Sequence, residues 1–202
     1  YCSFRAFRSI PALGGWFTTK ALSGGGALID WGVHFLDLIN YCVGDFELKT
    51  VSAVSHSKLA VNMKDYVYRV MHAGPPKYDG VYDVEEYVTG LIRTSGPALT
   101  FSGAWAQNID ESAMFIEFMG KKGGIKLQYG GHYTLYTTRN GELVSETPEF
   151  EIPDMYEREI AAFADCAVKN EKIRSNIDNI LITARMMDAI YASAEQGKEI
   201  AL

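Results

Sequence analysis

Apolar and polar positions alternate from the first residues of the chain, with Cys2, Phe4 and Ala6 set against Ser3 and Arg5 before the pattern slips at Phe7. A period of two predicts a half-buried strand over 1–9, ended by Pro11, Gly14 and Gly15. The period then changes. After Ser23-Gly24-Gly25-Gly26, the residues Leu28, Trp31, Phe35, Leu38, Ile39 and Cys42 recur at steps of three and four. That spacing predicts an amphipathic helix over 27–43, stopped by Gly44. Strand-like segments dominate the next hundred residues, at 50–58, 66–72, 82–94, 98–106, 114–119, 125–129 and 132–138. Turn chemistry separates several of them: Gly74-Pro75-Pro76, Ser95-Gly96-Pro97, Lys122-Gly123-Gly124 and Asn140-Gly141. Connections this short join antiparallel neighbours, because a parallel crossover needs a dozen or more residues. Two helices are predicted at the end, over 153–169 and 176–196. The second carries Ile177, Ile180, Leu181, Ala184, Met187, Ile190, Tyr191 and Ala194 on one stripe and stops at Gly197.

The expected fold is therefore α+β, a large, open, predominantly antiparallel sheet with helices packed on one face, in a single domain over 1–202. Alternation at Leu99, Phe101 and Gly103 suggests that the sheet's free face wants cover, which points to a homo-oligomer through that face. The 202 residues are enough for a core without disulfides or metal. A net charge of −6, with no basic run longer than Lys121-Lys122, argues against nucleic acid or an anionic membrane as partner. Nothing resembles a membrane span. Cys2, Cys42 and Cys166 are too widely spaced for a disulfide framework or a C-x-x-C site, which suits a reducing, cytoplasmic setting. The chain opens with Tyr1 and runs directly into a strand, so it reads as a piece of a longer protein, and an export signal further upstream would not be visible.

Candidate chemistry lies on the first helix. Asp30, His34, Asp37 and Tyr41 follow one another at spacings of four, three and four, opposite the apolar stripe. A carboxylate at Asp30 can steady the imidazole of His34, which is what a general acid or base needs. The alternative is a solvated helix face. The three glycines leave the first turn's N–H groups open to a second backbone or to a ligand, making Gly25 and Gly26 candidates for cofactor contact. Asp30, His34 and Asp37 could also ligate a metal, but no second cluster of His, Cys or acidic residues completes the shell, so no metal is expected. Arg8, with Arg5, could reach substrate hydroxyls from the first strand. His56, His72 and His132 have no carboxylate at useful spacing and read as structural.

The segment SGGGALIDWGVHFLDLINYCVGD, residues 23–45, resembles the signature that opens the C-terminal domain of the Gfo/Idh/MocA oxidoreductases. VEEYVTGLIRTSGPALTFSGAW (84–105), FIEFMGKKGGIKL (115–127) and SAEQGKEI (193–200) are similar to later blocks of the family, in the same order. The resemblance implies a domain that supplies the substrate pocket to a preceding Rossmann domain and makes subunit contacts through its sheet. The reaction it implies is hydride transfer between NAD or NADP and a carbinol carbon of a sugar or polyol. Asp30 and His34 match the catalytic positions, His34 taking the hydroxyl proton, while Trp16, Lys20, Arg8 and Asp37 are the expected substrate contacts. No G-x-G-x-x-G occurs, and the only Glu-Lys pair, Glu171-Lys172, is followed by Ile173 rather than proline. The cofactor half is therefore expected outside this chain, which alone should bind no nicotinamide nucleotide. The other readings are an assembly module with an idle helix face and a glycosidase that uses tightly held NAD for transient oxidation.

Overall fold

Strand β1 (Cys2–Phe7) forms where the alternation lies, and it buries Cys2, Phe4 and Ala6. The computed structural model describes residues 1–44 and 46–202; Asp45, which closes the 23–45 signature, lies outside them. A 3-10 turn (Trp16–Thr18) and a one-turn helix α1 (Lys20–Ser23) lead to the glycines. Helix α2 (Val33–Val43) follows, but its lead-in over Leu28–Gly32 is a π-turn, in which the Val33 N–H reaches back to the Leu28 carbonyl. The strands are β2 (Leu48–His56), β3 (Tyr87–Thr94), β4 (Ala98–Gln107), β5 (Ala113–Met119), β6 (Gly123–Gln128), β7 (Tyr133–Arg139), β8 (Glu142–Glu146) and β9 (Ile200–Ala201). Helices α3 (Met155–Lys169) and α4 (Ile177–Gln196) stand between the last two strands.

Among the described residues the nine strands form one sheet, ordered β8-β7-β6-β5-β1-β4-β3-β2-β9. The fold is α+β with a mostly antiparallel open sheet. It is not one continuous meander, because β1 inserts between β4 and β5. It runs parallel to β4 (Cys2↔Phe101) and antiparallel to β5 (Cys2↔Ile116). A parallel partner needs a long crossover, and the chain between β1 and β4 supplies one. The short connection from β4 to β5 therefore steps over a strand, which connection length alone does not reveal.

Two predicted strand segments are corrected. Residues 66–72 form no strand. Tyr66 drops into the core while Val67 and Val70 face outward, and the segment is tied to the loop after β1 by the bonds Arg69 N–H to Arg8 carbonyl (2.9 Å) and Ala12 N–H to His72 carbonyl (2.8 Å). The 82–94 strand begins only at Tyr87, because Glu85 and Glu86 turn inward to cap backbone N–H groups.

The main core lies between the sheet and helices α2 and α4. Phe35, Leu36 and Ile39 pack with Phe4, Val51, Val88, Ile92, Phe101, Ile116, Met186 and Ile190. Gly103 is required there, since a Cβ on it would overlap the Phe4 ring. Over the π-turn and α2, Leu28, Phe35 and Ile39 are buried as expected, but Cys42 is exposed and Leu36 and Asn40 are buried instead. The buried side of α4 is also rotated from the expected stripe. It carries Thr183, Met186, Ala189, Ile190 and Ser193, whereas Ile177, Ile180 and Leu181 are exposed. Hydropathy misplaces this face because its polar members are satisfied. Thr183 Oγ1 donates to Asp37 Oδ1 (3.0 Å), and Ser193 Oγ accepts from the Ala53 N–H (2.9 Å). Leu99 and Phe101 likewise face the helices, so they do not line the free face; Ser52, Val54, Thr89, Leu91, Thr100 and Ser102 do.

Candidate active site

The glycine segment is where the backbone of α2's lead-in meets the chain just before β3. A Cβ on Gly26 would overlap the Glu85 carbonyl, so the close approach needs glycine. The Glu85 carboxylate accepts from the N–H groups of Gly26 (2.9 Å) and Leu28 (3.0 Å), and the Ala27 N–H bonds to the Glu85 carbonyl (3.0 Å). A buried negative charge at a helix start is favoured by the exposed N–H dipoles there. Tyr191 of α4 donates its hydroxyl to the same carboxylate (2.9 Å). Burial first, and the neighbouring Glu85 charge second, push the Tyr191 phenol far above its usual range, so it stays a donor. The N–H groups of Gly26, Ala27 and Leu28 are therefore taken by the protein itself. Gly26 contacts Glu85, and Gly25 lies against the Tyr191 hydroxyl on one side.

Asp30 stands on the π-turn, half-buried, and its Oδ2 accepts from the indole N–H of Trp105 (2.8 Å). Burial pushes its carboxyl above the ordinary value, opposed by the Trp105 hydrogen bond and by the nearby imidazoles of His34 and His72. His34 itself is exposed. Both residues border a cleft of about 210 Å³ with Trp16, Phe17, Ser23, Gly25, Ile29 and Val33. Trp16 and Phe17 lie ring over ring, 3.9 Å between centroids, and Trp16 remains 55% exposed, a ready apolar wall. The structure thus gathers Asp30, His34, Trp16 and Gly25.

The other expected contacts are elsewhere. Arg8 donates to Asn108 Oδ1 (2.8 Å) and lies over the Tyr66 ring, outside the cleft. Lys20 borders a separate polar cleft with His56, Asp83, Glu85 and Tyr191. Asp37 accepts from Thr183 and so faces α4, while Tyr41 lies under the Arg174 guanidinium. The four-residue polar stripe is not one working face, because α4 claims Asp37 and Arg174, from the segment before α4, covers Tyr41. Among the described residues no three His, Cys, Asp or Glu side chains come together as metal ligands. A larger apolar groove of about 500 Å³ runs beside α2 over β3 to β7, but its lining is chiefly Ile39, Phe46, Leu99, Phe118 and Ile125, away from Asp30 and His34.

A family model described as "Oxidoreductase family, C-terminal alpha/beta domain" matches residues 5–202. The chain belongs to the Gfo/Idh/MocA oxidoreductase family. D-glucoside 3-dehydrogenase of Escherichia coli (strain K12) is 32% identical over 195 residues, covering 93% of this chain and 52% of that protein. The chain therefore spans about half the length of this curated relative. Among solved structures, levoglucosan dehydrogenase in complex with NADH and levoglucosan superposes with a TM-score of 0.73 at 19% identity, over 98% of this chain and 58% of that one. Aldose-aldose oxidoreductase from Caulobacter crescentus, complexed with glycerol, gives 0.68 at 19%, over 98% and 55%. These two likenesses establish the shared fold.

The Gfo/Idh/MocA fold brings three residues to the site that pattern reading did not select. Glu85 and Trp105 lie inside strand-like runs, and His72 lies in a loop. A pair of carboxylates in an apolar run, Glu85-Glu86, is a signal for buried caps, since unpaired charges are seldom buried. Trp105 and His72 carry no local signal; only the tertiary structure places them beside Asp30. At the glycines, the Glu85 carboxylate holds the N–H groups of Gly26 and Leu28, so those two are not open to a phosphate.

Proposed function

We propose that this chain is the substrate-binding domain of an NAD(P)-dependent oxidoreductase acting on a hydroxyl of a sugar or cyclitol. The whole chain forms one domain beside a nucleotide-binding domain elsewhere in the protein. The observation that carries the reading is the pair where the π-turn runs into α2: a carboxylate held by Trp105, next to an exposed imidazole, in a cleft walled by Trp16. A nicotinamide cofactor held outside this chain would supply the hydride acceptor. This chain's own residues handle the proton. His34 takes it from the substrate hydroxyl as the carbon is oxidised, and Asp30 orients the ring and stabilises the imidazolium. A cleft of about 210 Å³ is smaller than the roughly 300–1,000 Å³ of complete small-molecule sites, as befits one wall of a site shared with a second domain. Trp16 supplies an apolar platform for a sugar face, and Gly25 lets the substrate approach the backbone. Arg8, Lys20 and Asp37 do not line this cleft. The relationship to a D-glucoside 3-dehydrogenase supports a sugar substrate. Subunits associate through the sheet face opposite the helices.

The test is cofactor reduction by the full-length protein with a panel of glucosides, free aldoses, cyclitols and simple aliphatic alcohols. Reduction confined to sugars or cyclitols is expected. Reduction with none of them, in a protein that still assembles through its sheet, would replace the enzyme by an assembly module. The isolated chain should bind NADH and NADPH more weakly than about 100 μM, roughly 5–6 kcal/mol, by calorimetric titration.

A further inference from the structure

Asp30 sits on a π-turn, a weaker backbone scaffold than a regular α-helix, yet its side chain is fixed from the opposite layer. Trp105 is fully buried on β4 among Ile10, Leu13, Ala27 and Val84. Its backbone is tied on both sides, the N–H to the Glu86 carbonyl (2.9 Å) and the carbonyl to the Ser9 N–H (2.9 Å). The indole therefore cannot swing, and its N–H is a donor only. That single donor points at Asp30 Oδ2. Among the described residues no donor reaches Oδ1. The titratable groups near this carboxylate are His34 from α2 and His72 from the loop between β2 and β3.

We infer that Trp105 is the positioning residue of the site, holding Oδ2 of Asp30 from the sheet so that Oδ1 is left for the imidazole of His34 or for a substrate hydroxyl. The inference rests on the reading of Asp30 and His34 as the reactive pair. It adds that the pair's geometry is set by a residue seventy-five positions away on another layer. Loss of the indole N–H leaves burial opposed only by the two imidazoles, so the carboxyl would hold its proton to a higher pH. A carboxylate freed from Trp105 would also rotate.

The experiment is an NMR pH titration of this chain, following the three indole N–H signals of Trp16, Trp31 and Trp105 and the side-chain carbon of Asp30. The Trp105 signal should move with the Asp30 midpoint in the wild type and be flat in Asp30→Asn. Trp105→Phe should raise the Asp30 midpoint by about half a pH unit, a threefold change in its ionisation constant. The acid limb of the full-length enzyme's turnover profile should move up with it, with KM nearly unchanged. If Trp105→Phe fails to fold, the wild-type titration still decides. An indole signal that ignores Asp30, or a folded Trp105→Phe with an unmoved midpoint and acid limb, overturns the inference. The two readings fail separately. Coupled titration together with a fully active His34→Ala would remove the catalytic pair and leave the Trp105 contact, while an uncoupled indole beside an inactive His34→Ala would do the reverse.

Discussion

Helices α2 and α3 share a sequence pattern and differ in what holds them. Each repeats apolar residues at steps of three and four. On α2, Phe35, Leu36 and Ile39 are buried against the sheet. On α3, Tyr156, Ile160 and Phe163 are 74%, 69% and 65% exposed, and every residue of the helix but Cys166 is exposed. The local signals run the other way. Helix α3 has Asp154 accepting from the N–H groups of Tyr156 (2.9 Å) and Glu157 (3.0 Å), and the left-handed Asn170 at its end. Helix α2 has no capping side chain of its own and starts on a π-turn behind three glycines, where Glu85, far along the chain, supplies the cap. An apolar stripe shows that a helix face wants cover, but not whether this chain provides it. The helix carrying the proposed chemistry is the one held by distant residues, so distant substitutions should reach it.

That difference can be broken by paired truncations. Phe35→Ala should cost about 3–5 kcal/mol in chemical denaturation, because it opens a cavity between α2, Phe4 and the sheet. Phe163→Ala on α3 should stay within about 0.5 kcal/mol in this chain. Comparable losses at both positions would mean that α3 is covered after all.

Glu85→Gln sharpens the same comparison with a smaller effect. A glutamine offers one acceptor oxygen where the carboxylate offers two, so either Gly26 or Leu28 loses its partner, at a cost of about 1–3 kcal/mol. Amide exchange at Gly26 and Leu28 should accelerate in that variant while exchange along α3 is unchanged. Protection unaltered at both amides would show that the cap is not what holds the lead-in of α2.

The smallest effect is a slope. Because burial holds the Asp30 carboxyl above its ordinary value of 3.8, the native state binds more protons than the unfolded chain between the two values. Stability therefore falls as pH rises through that window and levels off above it. Glu86 acts in the same direction, its carboxyl also raised chiefly by burial. Asp30→Asn should flatten part of the slope, measured as midpoint denaturant concentration against pH, and leave the Glu86 part. A slope of the opposite sign would mean that hydrogen bonding, not burial, dominates at Asp30.

How much of this was legible depended on the reach of each signal. The strand with Cys2, Phe4 and Ala6, the 27–43 helix and the turn at Asn140-Gly141 rest on contacts within a few residues, and pattern reading found them. The insertion of β1 between β4 and β5 depends on pairing across about a hundred residues, which short loops conceal. On α4 the hydroxyls of Thr183 and Ser193 count as polar in sequence but are buried with their partners, so the expected stripe was rotated. In the site, spacing located Asp30 and His34 because they lie one helical turn apart. It also gathered Asp37, which α4 claims through Thr183. Glu85 and Trp105 could be found only once the sheet was assembled.

The proposed role of His34 as proton acceptor is tested most directly by the turnover of His34→Ala in the full-length enzyme, beside its cofactor affinity and melting temperature. A fall in turnover of about 10²- to 10⁴-fold is predicted, with affinity and melting temperature nearly unchanged, because His34 is exposed and outside the core. Wild-type turnover in His34→Ala, or a loss of activity matched by a loss of folding, would contradict it.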